Sequence, residues 1–171
     1  PAMNKNLMML LSTPAASGGG NPDVNGSASA NANSVALPPH VAGDLIFIFA
    51  YRNGNNSPPL TASGYTALAV LVEGFAGGNS NSVWAGWKIA TSSSEVSGTW
   101  TNATYVVALI IAGAAANPIG GAISVTGNST TVNYQAVTLS ATDGTSLLLG
   151  FAGHRSSNTA LETPPSGMGF V

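Results

Sequence analysis

Between Leu45 and Tyr51 the chain runs through seven residues, LIFIFAY, with no charge and no amide, and a second apolar run, YVVALIIAGAAA, extends from Tyr105 to Ala116. A strand with one wet face alternates apolar and polar residues, because successive side chains point to opposite sides. These two runs do not alternate, so both of their faces are expected to be covered. Residues 82 to 90 do keep a period of two: Val83, Ala85, Trp87 and Ile89 share one face, and Trp84, Gly86, Lys88 and Ala90 share the other. Trp84 and Trp87 must then enter different layers. No segment sustains the 3.6-residue period of an amphipathic helix. The pattern predicts strands near residues 5–12, 33–37, 44–52, 66–73, 82–90, 103–113, 121–126, 131–140 and 146–153, separated by loops in which 21 glycines and 10 prolines recur among Asn and Ser. Residues 14–33, PAASGGGNPDVNGSASANAN, read as a flexible low-complexity link. Residues 1–33 are thus expected to form an arm and link, and residues 34–171 a sandwich domain.

The second half echoes the first. DLIFIFAYRNGNNSPPLTASGYTAL (44–68) aligns with SLLLGFAGHRSSNTALETPPSGMGFV (146–171), matching Phe49 to Phe151, Arg52 to Arg155, Pro58-Pro59 to Pro164-Pro165 and Ser63-Gly64 to Ser166-Gly167. Each copy reads as a buried strand, a polar loop carrying one arginine, a double proline and a Ser-Gly turn into another strand. Two such units suggest the halves of one antiparallel sandwich. On this pattern Phe170-Val171 opens a further strand.

Composition narrows the chemistry. The 171 residues include only four Lys/Arg and six Asp/Glu, or 6% charged against about 25% in an ordinary soluble domain, with a formal net charge of -2. Solubility must rest on neutral Asn, Ser, Thr and Gly. The cations Lys5, Arg52, Lys88 and Arg155 are scattered, whereas a phosphate backbone needs a cluster, so no nucleic-acid partner is expected. The longest apolar run has 12 residues where about 20 are needed for a helical span, so no membrane crossing is expected. The Leu7–Leu11 patch is short for the core of a secretion signal. There is no cysteine, which removes disulfides and thiolate chemistry. His40 and His154 stand apart from any matched ligand set, so no metal or other cofactor is expected. Asp44 and Asp143 sit in turn-like AGDL and ATDGT, where a carboxylate satisfies local amides. No serine–base–orienter set or framing carboxylate pair can be nominated, so no enzyme is expected.

The segment G-D-L, an apolar run, R-x-G, P-P and S-G-Y-T-x-L, followed by SVWAGWKIA, SGTWTNAT and a closing SLLLGFA with PP-x-GM, resembles jelly-roll-like virion surface proteins of tailed bacteriophages. The likeness spans about residues 41 to 171. Tyr65 stands where tryptophan is common in that pattern and Gly169 where threonine is. The likeness implies an all-β, antiparallel jelly-roll-like β-sandwich of about 8–9 short strands with an extended N-terminal arm. It also implies a place on the virion surface as a capsid decoration or cement protein, head fibre or tail-associated domain.

Together these readings define candidate residues. If a second copy covers the outer face of the apolar strands, Ile46, Ile48, Val106, Ala108 and Ile110 form a subunit interface in a homo-oligomer, a trimer being the expected form. The alternative cover is a long loop of the same chain. Leu7, Met8, Met9 and Leu10 would anchor the arm to a shell, with the major capsid protein among the partners. Tyr51, Asn55, Tyr65, Trp84 and Trp100 could meet a glycan, since aromatic faces and amides suit a neutral polyol. A receptor- or glycan-binding fibre or tail domain is therefore the alternative function. A depolymerase would need two carboxylates roughly 5 to 10 Å apart in a groove.

Overall fold

A computed structural model of the chain describes residues 6–13, 21–68, 81–127, 135–143, 145–154, 166 and 168–169. Among them the protein is all-β, with no helix and eight strands: β1 (Asn6–Thr13), β2 (Asp23–Ala30), β3 (Leu45–Asn53), β4 (Thr66–Ala67), β5 (Asn81–Ile89), β6 (Tyr105–Ala112), β7 (Gly121–Gly127) and β8 (Leu147–His154). They form a five-stranded antiparallel sheet in the order β2-β6-β3-β5-β4 and a three-stranded antiparallel sheet in the order β7-β1-β8.

The two unalternating runs became β3 and β6, adjacent at the centre of the larger sheet. Their register sets Phe47 opposite Leu109, Phe49 opposite Val107 and Tyr51 opposite Tyr105 on one face, and Ile46 opposite Ile110 and Ile48 opposite Ala108 on the other. Both faces are covered. On the first, Leu45, Phe47, Phe49, Val83, Ala85, Leu109 and Ile111 pack with Leu149 and Phe151 of β8. The Phe151 ring stacks on Phe47 and Phe49 at centroid distances of 5.3 and 5.1 Å. The echo thus brings its own matched pair, Phe49 and Phe151, into contact. On the second face Ile46, Ile48, Ala50, Val106, Ala108 and Ile110 pack under Val35, Leu37, Ala62, Tyr65, Trp100 and Ala103, all supplied by loops of the same chain.

Trp100 is the centre of that loop layer. It is fully buried, its Nε1–H donates to the Ser97 carbonyl at 2.9 Å, and Tyr65 meets its ring edge-on at 5.5 Å. Its ring lies so near Gly86 of β5 that a Cβ there would sit 2.9 Å from Cη2, so only glycine lets the indole settle on the sheet. Lys88 and Glu95 join across 2.6 Å. Thr91 donates to the same carboxylate from its amide at 3.0 Å and its hydroxyl at 2.7 Å, which fixes the 91–97 loop above β5. These bonds, the Lys88 one first, hold the Glu95 carboxyl at a pKa of about 2, below its ordinary 4.5. Burial, aided by the Glu95 charge, pushes the Tyr65 phenol upward, and its hydroxyl donates to the Val96 carbonyl at 3.0 Å.

Several boundaries differ from the sequence reading. Residues 23–30, assigned to the flexible link, form β2, because the small residues of DVNGSASA can pair along β6 without needing an apolar face of their own. Residues 33–37 are not a strand: Asn33 and Val35 are held by Trp100 and Ser97 and lie on the loop layer. Of the segment 131–140, residues 135–140 carry no strand and the rest lie outside the described residues.

Candidate functional site

The five side chains expected at a subunit contact, Ile46, Ile48, Val106, Ala108 and Ile110, each have zero exposure within the single chain. The cover is the intramolecular one, so these residues offer nothing for a neighbouring copy to bind. Hiding an Ile or Val is worth about 1.5 to 3 kcal/mol, and here folding itself collects that free energy. Trp84 and Trp87 do enter opposite layers, as their parity requires, each half-buried against a different cluster of the same chain.

Leu7, Met8, Met9 and Leu10 were expected on an arm reaching away from the body. Their strand instead lies between β7 and β8, with Met8 opposite Val125 on one side and Ala152 on the other. Backbone groups on both edges of β1 are therefore engaged in the protein's own sheet.

The proposed glycan residues do not converge either. Trp84 donates through its indole N–H to the Thr61 hydroxyl, Trp100 and Tyr65 belong to the loop layer, and the Asn55 side-chain oxygen accepts from the Ser57 amide at 2.8 Å, closing the loop that Arg52 clasps through the Ser57 carbonyl at 3.0 Å. Tyr51 alone points to the other face, and there it lines a cavity.

That cavity, of about 530 Å³, opens where β3 ends and β6 begins, between the five-stranded sheet and β8. Phe49, Tyr51, Tyr105, Val107 and Phe151 form its apolar walls, and Asn31, Asn53 and Thr104 stand at exposed positions around it. Volumes of 300 to 1,000 Å³ are usual for sites that hold small ligands. Gly153 of β8 is among the residues that line the cavity. A Cβ at Gly153 would lie 2.7 Å from Tyr51 Cδ2, so the tyrosine ring fills the room a side chain would have taken. Thr104 is fixed by its amide, which donates to the Tyr51 carbonyl at 2.8 Å, and its hydroxyl accepts from the Asn53 amide at 2.9 Å. Among the described residues that line it, no side chain is charged. Tyr105 could have been found beforehand: its strand parity puts it on the face of Val107, and Tyr51 lies opposite. Asn31, Thr104 and Phe151 reach the cavity only through tertiary structure.

The titratable groups do local work elsewhere. Asp44 Oδ2 accepts from the Val41 amide at 2.9 Å. Asp143 Oδ1 accepts from the Thr145 amide at 3.0 Å and from its hydroxyl, bonds that lower its pKa. Both are the turn roles that AGDL and ATDGT suggested. The buried His40 donates from Nδ1 to the Pro38 carbonyl at 2.7 Å, inside the turn that enters β3. Among the described residues no group of three or more His, Asp or Glu side chains gathers in a metal-holding arrangement, and no helix is long and apolar enough to cross a membrane. Glu73, Glu162 and Arg155 lie outside the described residues.

No family model matches this chain, and neither a curated protein nor a solved structure shows significant similarity to it.

Proposed function

We propose that this protein is a non-enzymatic structural domain of the exterior of a tailed-phage virion, decorating or cementing the capsid as a homo-oligomer, a trimer, beside the major capsid protein. Its finer architecture in this reading is a jelly-roll-like sandwich, with the five-stranded sheet as one layer and β7-β1-β8 as the other; the stacking of Phe151 on Phe47 and Phe49 supports that.

The observation that carries the reading is where the motif residues fall. Asp44 ties the turn before β3, Gly86 admits the Trp100 indole, Ser97 accepts the Val35 amide at 3.0 Å, and Thr104 links β3 to β6. Among the described residues, these motif positions serve turns and loop packing, which suits a protein whose task is to hold shape and position. The covered sheet face gives no drive for association. Contacts between copies would instead run over loops, where Val41, Leu60 and Val96 remain 62%, 61% and 67% exposed.

Two measurements test this. Light scattering coupled to size-exclusion chromatography is expected to give a trimer, and immunogold labelling with antibody to the chain is expected to decorate phage particles from the source bacterium. A monodisperse monomer removes the oligomer, and unlabelled particles remove the virion role. A second reading, recognition of a host-surface glycan, is favoured by the uncharged, aromatic-walled cavity at Tyr51 and Tyr105.

A further inference from the structure

We infer that the cavity between the β3–β6 end and β8 is a binding subsite for an uncharged saccharide, held between the Tyr51, Tyr105 and Phe151 rings and hydrogen-bonded by Asn31, Asn53 and Thr104. This rests on the second reading above and adds the site and the ligand class.

The chemistry of the lining selects the ligand. A sugar ring presents C–H groups on its faces and hydroxyls around its edge. Its faces suit aromatic walls, and its edge suits side chains that both donate and accept. The cavity has this division, with Phe49, Tyr51, Tyr105, Val107 and Phe151 as walls and two amides and a hydroxyl at exposed positions. Its volume of about 530 Å³ exceeds what one hexose unit needs, leaving room for a linked neighbour. Among the described lining residues none is charged, so a carboxylate or phosphate would meet no cation from them. Anionic sugars are thereby disfavoured. A purely apolar ligand would make no use of the Asn31 and Asn53 side-chain amides.

The arrangement is also pre-formed. The Thr104 amide donates to the Tyr51 carbonyl and its hydroxyl accepts from the Asn53 amide, and Gly153 lets the Tyr51 ring lie close against β8. Little ordering is left for binding to impose, which favours measurable affinity from a small contact.

The test is an NMR titration of the isotopically labelled chain with four probes: a neutral glucan tetrasaccharide, a neutral galactan tetrasaccharide, an N-acetylglucosamine tetrasaccharide and an oligogalacturonate. At least one neutral probe is expected to shift the amides of Asn31, Asn53, Thr104 and Gly153, with the oligogalacturonate at least about tenfold weaker. Asn53→Ala, at an exposed position, is expected to weaken binding about threefold to tenfold with the melting temperature unchanged. Tyr105→Phe keeps the ring and is expected to retain most of the affinity, whereas Tyr105→Ala loses about tenfold or more. Preference for the uronate overturns the ligand class. Shifts confined to other surfaces, or unaltered binding in both Asn53→Ala and Tyr105→Ala, overturn the site while leaving glycan recognition standing. No shift from any probe up to about 20 mM, well above millimolar affinity, overturns both and leaves the virion role to the labelling experiment.

Discussion

Trp100 shows how a single side chain can decide what a sheet face becomes. Its indole is fully buried, hydrogen-bonded at its one polar atom, and laid against a glycine in β5. Replacing it with alanine removes the largest fully buried side chain among the described residues and opens a void above Gly86. Trp100→Ala should therefore cost about 3 to 5 kcal/mol, read as a lower urea midpoint with little change in slope. The sequence shows an aromatic in a Gly/Ser/Thr stretch, where core packing is the expected fate but its partners are not legible. Asp44 and Asp143 were more legible, because a carboxylate in a short turn interacts with amides only two or three residues away. Trp100 depends on Gly86, Tyr65 and Ser97, which no local pattern links.

At the scale of elements, what was readable is what is periodic. β3, β5 and β8 lie within a residue of their expected bounds and β6 within two, because apolar, β-branched and aromatic runs mark a strand whatever covers it. β2 was hidden, since an edge strand of Asn, Gly, Ser and Ala has the composition of a linker. The nature of the second cover was likewise invisible: an unalternating strand shows that it has two covered faces and says nothing of which chain covers them. The 91–97 loop beside that cover is fastened by two of the few charges the protein has, Lys88 and Glu95. Glu95 has a folded pKa below its unfolded value, so its contribution to stability is present above about pH 4.5 and is lost as pH falls toward about 2. Glu95→Gln should lower the melting temperature near neutral pH, and the gap between variant and parent should close across that window. Because the pair is partly exposed, added salt should narrow the gap at neutral pH as well.

At the scale of the whole molecule, the smaller sheet depends on β1, which precedes its partners by most of the described chain. β1 joins β7 to β8, so removing residues Asn6–Thr13 leaves two strands with bare edges and almost no charge to keep other chains away. The truncated protein should sediment as aggregate under conditions where the parent stays monodisperse, a difference that analytical ultracentrifugation reads directly. The partners of β1 lie roughly 110 to 150 residues further along the chain, and contacts of such long reach form slowly. During synthesis the opening segment therefore emerges long before anything exists for it to join. It must wait, solvated and uncommitted, until β7 and then β8 leave the ribosome, so the smaller sheet is completed late.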